Sequence, residues 1–157
     1  MNITFEPIGY VHNAFSQRPA FWQGTMSELH IDSRWSEPLD GLQGFSHIVV
    51  LCYLDRSRQE IPLYVRPQGN PAMPSVGFWG TRSPVRPNPI SLTTVPLVKR
   101  EGNVLHVRNL DMFDGTPILD IKPYLTRGDC HPEALAPDWL RRLWGIQDAA
   151  QREPPNT

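Results

Sequence analysis

Seventeen prolines are spread through the 157 residues of this chain, and no other feature limits its fold as strongly. Proline lacks a backbone donor, and inside a helix its ring clashes with the preceding turn. A chain punctuated this densely has little room for long helices. Between the prolines lie short β-rich runs closed off by Gly, Asn and Asp, with candidate strands at 3–11, 28–31, 47–54, 76–79, 92–98, 104–107 and 118–124. The run HIVVLCYL at 47–54 is almost wholly apolar, as a central strand reads, whereas Leu29 and Ile31 alternate with polar neighbours. One helix stands out, at 137–149. There Pro137 suits a first turn, and Trp139, Leu140, Leu143 and Trp144 fall on one face. The pattern predicts an all-β fold, a single closed or nearly closed β-barrel with short helices and one C-terminal helix. Residues 1–150 are expected to form one domain and 151–157 a disordered tail.

Several classes of protein are not expected on these grounds. No apolar run approaches the roughly 20 residues of a membrane span, and the N-terminus lacks the basic and apolar regions of a secretory signal. Cys52 sits in an apolar run and Cys130 in a polar loop, too far apart to read as a disulfide framework, so a reducing, cytoplasmic setting is expected. There is no P-loop and no G-x-G-x-x-G turn, no nucleophile elbow beside Ser46-His47, and nothing to complete a zinc set around Cys130-His131, so no metal is expected. Net charge is −1, yet the cations comprise thirteen arginines and two lysines. Arginine's planar fork suits phosphates, carboxylates and base edges.

Chemistry concentrates in two segments. In GFWGTRSPVRPNPISL, residues 77–92, Pro84, Pro87 and Pro89 stiffen the backbone that carries Arg82, Arg86 and Asn88. Polar groups held in advance need no ordering on binding, so Arg86 and Asn88, with Arg66 from the preceding loop, are the candidate substrate contacts. In LDMFDGTPILDIKPY, residues 110–124, Asp114-Gly115 is a turn signal. Asp120, Lys122 and Tyr124 follow at a spacing of two, so a strand would set them on one face. If that face is buried, the three must bond one another or a ligand. They are the candidate catalytic groups, Asp120 as a base and Lys122 and Tyr124 as stabilisers of developing charge. The plainer alternative is a structural ion pair between Asp120 and Lys122.

Four motifs in one order, IGYVHNAF, GLQGFSHIVVL, TRSPVRPNPI and DMFDGTPILDIKPY, resemble the TrmO family. The resemblance runs from about Ile8 to Tyr124. It implies a β-barrel that binds S-adenosylmethionine, assembles as a homodimer, and methylates N6 of threonylcarbamoyl-adenosine just 3′ of the tRNA anticodon. Motif by motif it further implies that Arg82, Leu92 and the turn Met112, Phe113, Asp114 and Gly115 contact the cofactor. Asp55 and Arg56 occupy another contact, with Asp55 where the family commonly has histidine. Of the family's early Pro-Arg-Gln element only Gln23 carries over, because Trp22 stands in place of the arginine. The same fold acting on a small metabolite, or binding S-adenosylmethionine without catalysis, are the competing functions.

Overall fold

The computed structural model describes residues 3–57 and 60–152. Six strands close into an antiparallel barrel: β1 (Gly9–His12), β2 (Met26–Ile31), β3 (His47–Tyr53), β6 (Ile90–Glu101), β7 (Val104–Arg108) and β8 (Pro117–Pro123). Around the barrel they run β1-β2-β7-β6-β3-β8 and back to β1, where Gly9 stands opposite Ile118. Two short strands, β4 (Tyr64–Val65) and β5 (Val76–Gly77), form a separate ribbon. A four-residue helix, α1 (Thr126–Asp129), precedes the terminal helix α2 (Asp138–Arg152).

A six-stranded barrel is narrow enough to be filled by its own side chains. Val11, Leu29, Ile31, Ile48, Val50, Cys52, Val95, Leu105, Val107 and Ile118 supply that filling, each at most 2 % exposed. The alternation expected of β2 holds, with Leu29 and Ile31 inside. Strand β3 is the most enclosed, flanked by β6 and β8 and with Val49 nearly buried on its outer face. Burial pushes the Cys52 thiol up to about 12, which makes it an inert part of the core.

The structure departs from the sequence reading at several boundaries. The first strand begins at Gly9, because residues before it meet the barrel only through isolated bonds such as Ile8 N–H to the Ile118 carbonyl. At 76–79 only two residues pair, with Tyr64 and Val65, and Phe78–Gly80 then turn as a 3-10 helix. Helix α2 runs three residues beyond 149, and residues 153–157 of the expected tail lie outside the described residues.

Pairing of β3 with β8 slips by one residue between Leu51 and Cys52: Leu51 faces Asp120 while Cys52 faces Ile118. This bulge sends both Ile118 and Ile121 to the core and turns Asp120 and Lys122 outward. No helix among the described residues is long and apolar enough to cross a membrane.

Candidate functional site

The Asp114-Gly115 turn is fixed at one end of the barrel by the loop that follows β1. Gly115 N–H donates to the Val11 carbonyl and Asp114 N–H to the Phe15 carbonyl, both at 2.8 Å. Gly115 has φ +79°, a left-handed conformation that side chains rarely adopt. Asn13 stitches the two segments together. Its backbone N–H donates to Asp114 Oδ1 at 3.1 Å, and its amide donates to the Met112 carbonyl at 2.9 Å and Ser27 Oγ at 3.0 Å.

Arg56, just past β3, clamps the turn from the other side. Its Nη2 donates to the Asp114 carbonyl at 2.7 Å and its Nη1 to the Ser16 carbonyl at 3.3 Å. The guanidinium also lies 5.5 Å over the Phe113 ring. Trp22 meets Phe113 at 6.0 Å and Phe15 at 5.4 Å, so the residue standing for the family's arginine has become part of an aromatic wall. Because Arg56 grips backbone, the Asp114 carboxylate is left half-exposed, with His12 Nδ1 at 3.7 Å.

That carboxylate borders a cleft of about 460 Å³ lined also by His12, Asn13, Ser27, Glu28 and His106. Strand register explains the grouping: His12 stands opposite Glu28, and Glu28 opposite His106, in one row across β1, β2 and β7. Glu28 accepts from His30 Nε2 at 2.7 Å and lies 3.7 Å from His106 Nδ1. The hydrogen bond with His30, more than the charge of His106, holds the Glu28 carboxyl below its ordinary value of 4.5. His106 Nε2 is 2.9 Å from Glu101 but out of line, leaving this buried nitrogen without a hydrogen bond. Among the described residues no group of His, Cys, Asp and Glu has the arrangement of a metal site.

The sequence-derived candidates fall into three places. Arg56, Met112, Phe113, Asp114 and Gly115 form the turn and its clamp, with Met112 buried and receiving Ser91 Oγ at its sulfur at 3.6 Å. Gln23 lies exposed beside Trp22 in the turn that leads into β2, and Asp55 is exposed in the turn that carries Arg56. A second place is the proline frame with Arg82, Arg86 and Asn88. Arg82 and Asn88 are exposed, and among the described residues neither side chain is hydrogen-bonded. Arg86 Nη1 donates to the carbonyls of Thr81 (2.9 Å) and Ser83 (3.0 Å), and Arg66 Nη1 donates to Met73 at 2.7 Å. Residues 54–57 join this frame to the turn: Ser57 Oγ donates to the Pro84 carbonyl at 2.8 Å and Leu54 N–H to Pro89 at 2.7 Å, next to the Arg56 clamp.

The third place is the outer face of β6, β3 and β8. There Leu92, half-exposed, aligns with Leu51 and Asp120. The buried face imagined for Asp120, Lys122 and Tyr124 is not found. Lys122 Nζ is 2.6 Å from Asp120 with both side chains open to solvent, 62 % and 44 % exposed. Tyr124 lies beyond the strand end, where desolvation and then the Cys130 thiol raise its phenol pKa. No hydrogen bond among the described residues links these three to Asp114. Sequence reasoning missed His12, Asn13, Glu28, His106 and the packing of Trp22; of these, His12 and Asn13 lay inside the quoted motif IGYVHNAF.

The architecture is that of a closed six-stranded barrel protein, with a cleft of two carboxylates and two imidazoles beside a clamped Asp-Gly turn. Residues 11–130 match the family described as the tRNA-methyltransferase O N-terminal domain, and the chain belongs to that family. It is 41 % identical over 131 residues to a probable S-adenosyl-L-methionine-binding protein of Methanothermobacter thermautotrophicus, covering 79 % of this chain and 91 % of that one. It is 34 % identical over 148 residues to the human tRNA (adenine(37)-N6)-methyltransferase, covering 87 % of this chain but 33 % of the human one. The fold is shared with the crystal structure of TrmO from P. aeruginosa at a TM-score of 0.73 and 24 % identity, over 98 % of this chain and 76 % of that one.

Proposed function

We propose that this chain is an S-adenosylmethionine-dependent methyltransferase acting on N6 of the adenosine 3′ of the tRNA anticodon, in its threonylcarbamoyl form, and that it works as a cytoplasmic homodimer. Family membership and the names of the archaeal and human relatives support the methyltransferase reading. The observation that carries it is the Asp114 turn, locked by Arg56 and Asn13 so that its carboxylate faces, with Glu28, the 460 Å³ cleft. Two carboxylates at a cavity within the usual range of ligand sites fit a ligand bearing a sulfonium and an ammonium group.

When bound, S-adenosylmethionine supplies an electrophilic methyl group on its sulfonium. The chain's own task is then to hold that group and the acceptor nitrogen close and in line. Asp114 and Glu28 complement positive charge, and the Phe113–Trp22 pair offers an apolar surface beside the turn. Arg82 lies exposed on the frame that Ser57 ties to the turn and suits the carboxylate of the cofactor, while Arg86, bonded to Thr81 and Ser83 through one nitrogen, suits that of a threonyl group. Tyr124, with its raised pKa, serves as a hydrogen-bond donor to the carbamoyl oxygen, where charge develops as N6 loses its proton, and Lys122 as a counter-charge. Asp120 acts as base only once its bond to Lys122 opens.

Calorimetry tests the cofactor half directly. Wild type binds S-adenosylmethionine in the micromolar range, and Asp114→Ala and Arg82→Ala each weaken it about ten- to hundredfold, the loss expected of one charge-assisted contact. Absence of binding to folded wild type refutes the reading. Mass spectrometry of nucleosides from threonylcarbamoyl-tRNA incubated with enzyme and cofactor tests the acceptor.

A further inference from the structure

We infer that the β4–β5 ribbon and the 3-10 turn after it form a nucleobase-stacking platform for single-stranded RNA, with Trp79 as its principal face and Tyr64 beside it. This rests on the tRNA reading above and goes beyond it in naming how a loop base is held. Trp79 is 70 % exposed and Tyr64 68 % exposed. Pairing sets them on adjoining backbone: Tyr64 stands opposite Gly77, two residues before Trp79, and Phe78 N–H donates to the Leu63 carbonyl at 3.2 Å.

The exposed indole has two side-chain neighbours. Phe78 packs against it at 4.4 Å, and the Arg86 guanidinium lies 5.4 Å from its ring. Arg86 is itself pinned by two backbone carbonyls through a single nitrogen, which leaves its other N–H groups for a phosphate. A large apolar ring held in place and left open to water has a role beyond packing. Every base has a π-face, so such a ring serves unstacked bases of any identity.

Charge decides between RNA and a second copy of this chain. Residues 61–89 contain Arg66, Arg82 and Arg86 and no Asp or Glu, in a chain whose net charge is −1. A two-fold interface would set this surface against itself, cation against cation, whereas a phosphate backbone complements it. Seven prolines within the same stretch keep the surface ordered before binding. The platform also adjoins the candidate site, because Ser57 and Leu54 bond Pro84 and Pro89 next to the Arg56 clamp.

The test uses fluorescence anisotropy with two labelled RNAs, a hairpin with a single-stranded loop and a blunt duplex of equal length. Wild type binds the hairpin more tightly. Trp79→Ala weakens hairpin binding roughly ten- to hundredfold, the loss typical of one base–aromatic stack, and leaves duplex binding nearly unchanged. Trp79→Phe recovers most of the loss, and S-adenosylmethionine binding by calorimetry is unaltered in both variants. Equal hairpin affinity in wild type and Trp79→Ala overturns the platform while leaving the tRNA reading intact. Loss of a dimer in Trp79→Ala by light scattering overturns it in favour of a self-interface. Binding of S-adenosylmethionine but of neither RNA by wild type fells the tRNA reading and the platform with it.

Discussion

At Asp114 one residue meets two demands that ordinarily conflict. A carboxylate inside a tight turn tends to be spent on its own backbone, yet here only one oxygen accepts, from Asn13, and Arg56 takes the carbonyl. The turn is therefore held by its neighbours while its charge stays available. A comparable constraint sits at Gly9, where an added Cβ would lie 2.2 Å from the His30 carbonyl oxygen and 2.8 Å from Ile31 Cα. Neither is a side chain that can swing aside, so β1 must separate from β2. Gly9→Ala is expected to cost about 3 kcal/mol, at the upper end of overpacking effects. Gly44→Ala, where nothing lies within 4 Å and φ is not positive, is expected to be near neutral. Urea unfolding midpoints of the two variants compare these outcomes, and equal midpoints refute the close approach.

Among the elements, the strands were readable where apolar content alone sets them, as in β3 and β2. What sequence could not supply is anything that depends on a partner strand. The bulge in β8 is one case: the spacing-two rule puts Asp120, Lys122 and Tyr124 on one face, and only the slip against Leu51 and Cys52 turns the first two to solvent. The row His12–Glu28–His106 is another, since three residues so far apart in the chain carry no local motif and meet only through register. By contrast the Asp-Gly turn is local chemistry, and Gly115 turns with φ +79° where the dipeptide signals it. The row makes a pH prediction. His30 depresses the Glu28 carboxyl below 4.5, and Lys99 does the same for Glu101. A carboxyl with a lowered folded pKa contributes stability that is complete above its unfolded value and lost as pH falls through the folded one. Wild type should thus lose stability on acidification below about 4.5, and Glu28→Gln should be the less stable protein at neutral pH, with a flatter acid limb, so that the difference closes as pH falls. Denaturation midpoints that fall equally steeply in both proteins exclude this role for Glu28.

For the molecule as a whole, the barrel core is complete but its outworks are not. Accessible surface is 11057 Å², against about 8,000 Å² for a compact monomer of this mass. Helix α2 carries part of the uncovered apolar material. Leu143 is buried, but Trp144 and Ile146 are each about half-exposed and Leu135 just before the helix is 90 % exposed. Clusters of large exposed side chains mark an interface, and a second copy is the partner that the homodimer proposal supplies. This surface differs in kind from the cationic β4–β5 ribbon. Arg141 and Arg142 are accompanied by Asp138 and Asp148, so like surfaces can meet without a net excess of one sign. Light scattering at micromolar protein is expected to give twice the mass of 17.9 kDa. Trp144→Glu, which places a charge in the contact while the exposed site tolerates it in the monomer, is expected to give the single mass. It should leave hairpin RNA binding through Trp79 within a few-fold of wild type, because one surface joins copies and the other receives RNA. A monomeric wild type refutes the dimer. A Trp144→Glu protein that remains dimeric places the contact elsewhere on the barrel, with the outer face around Leu92 and Tyr53 the next to test.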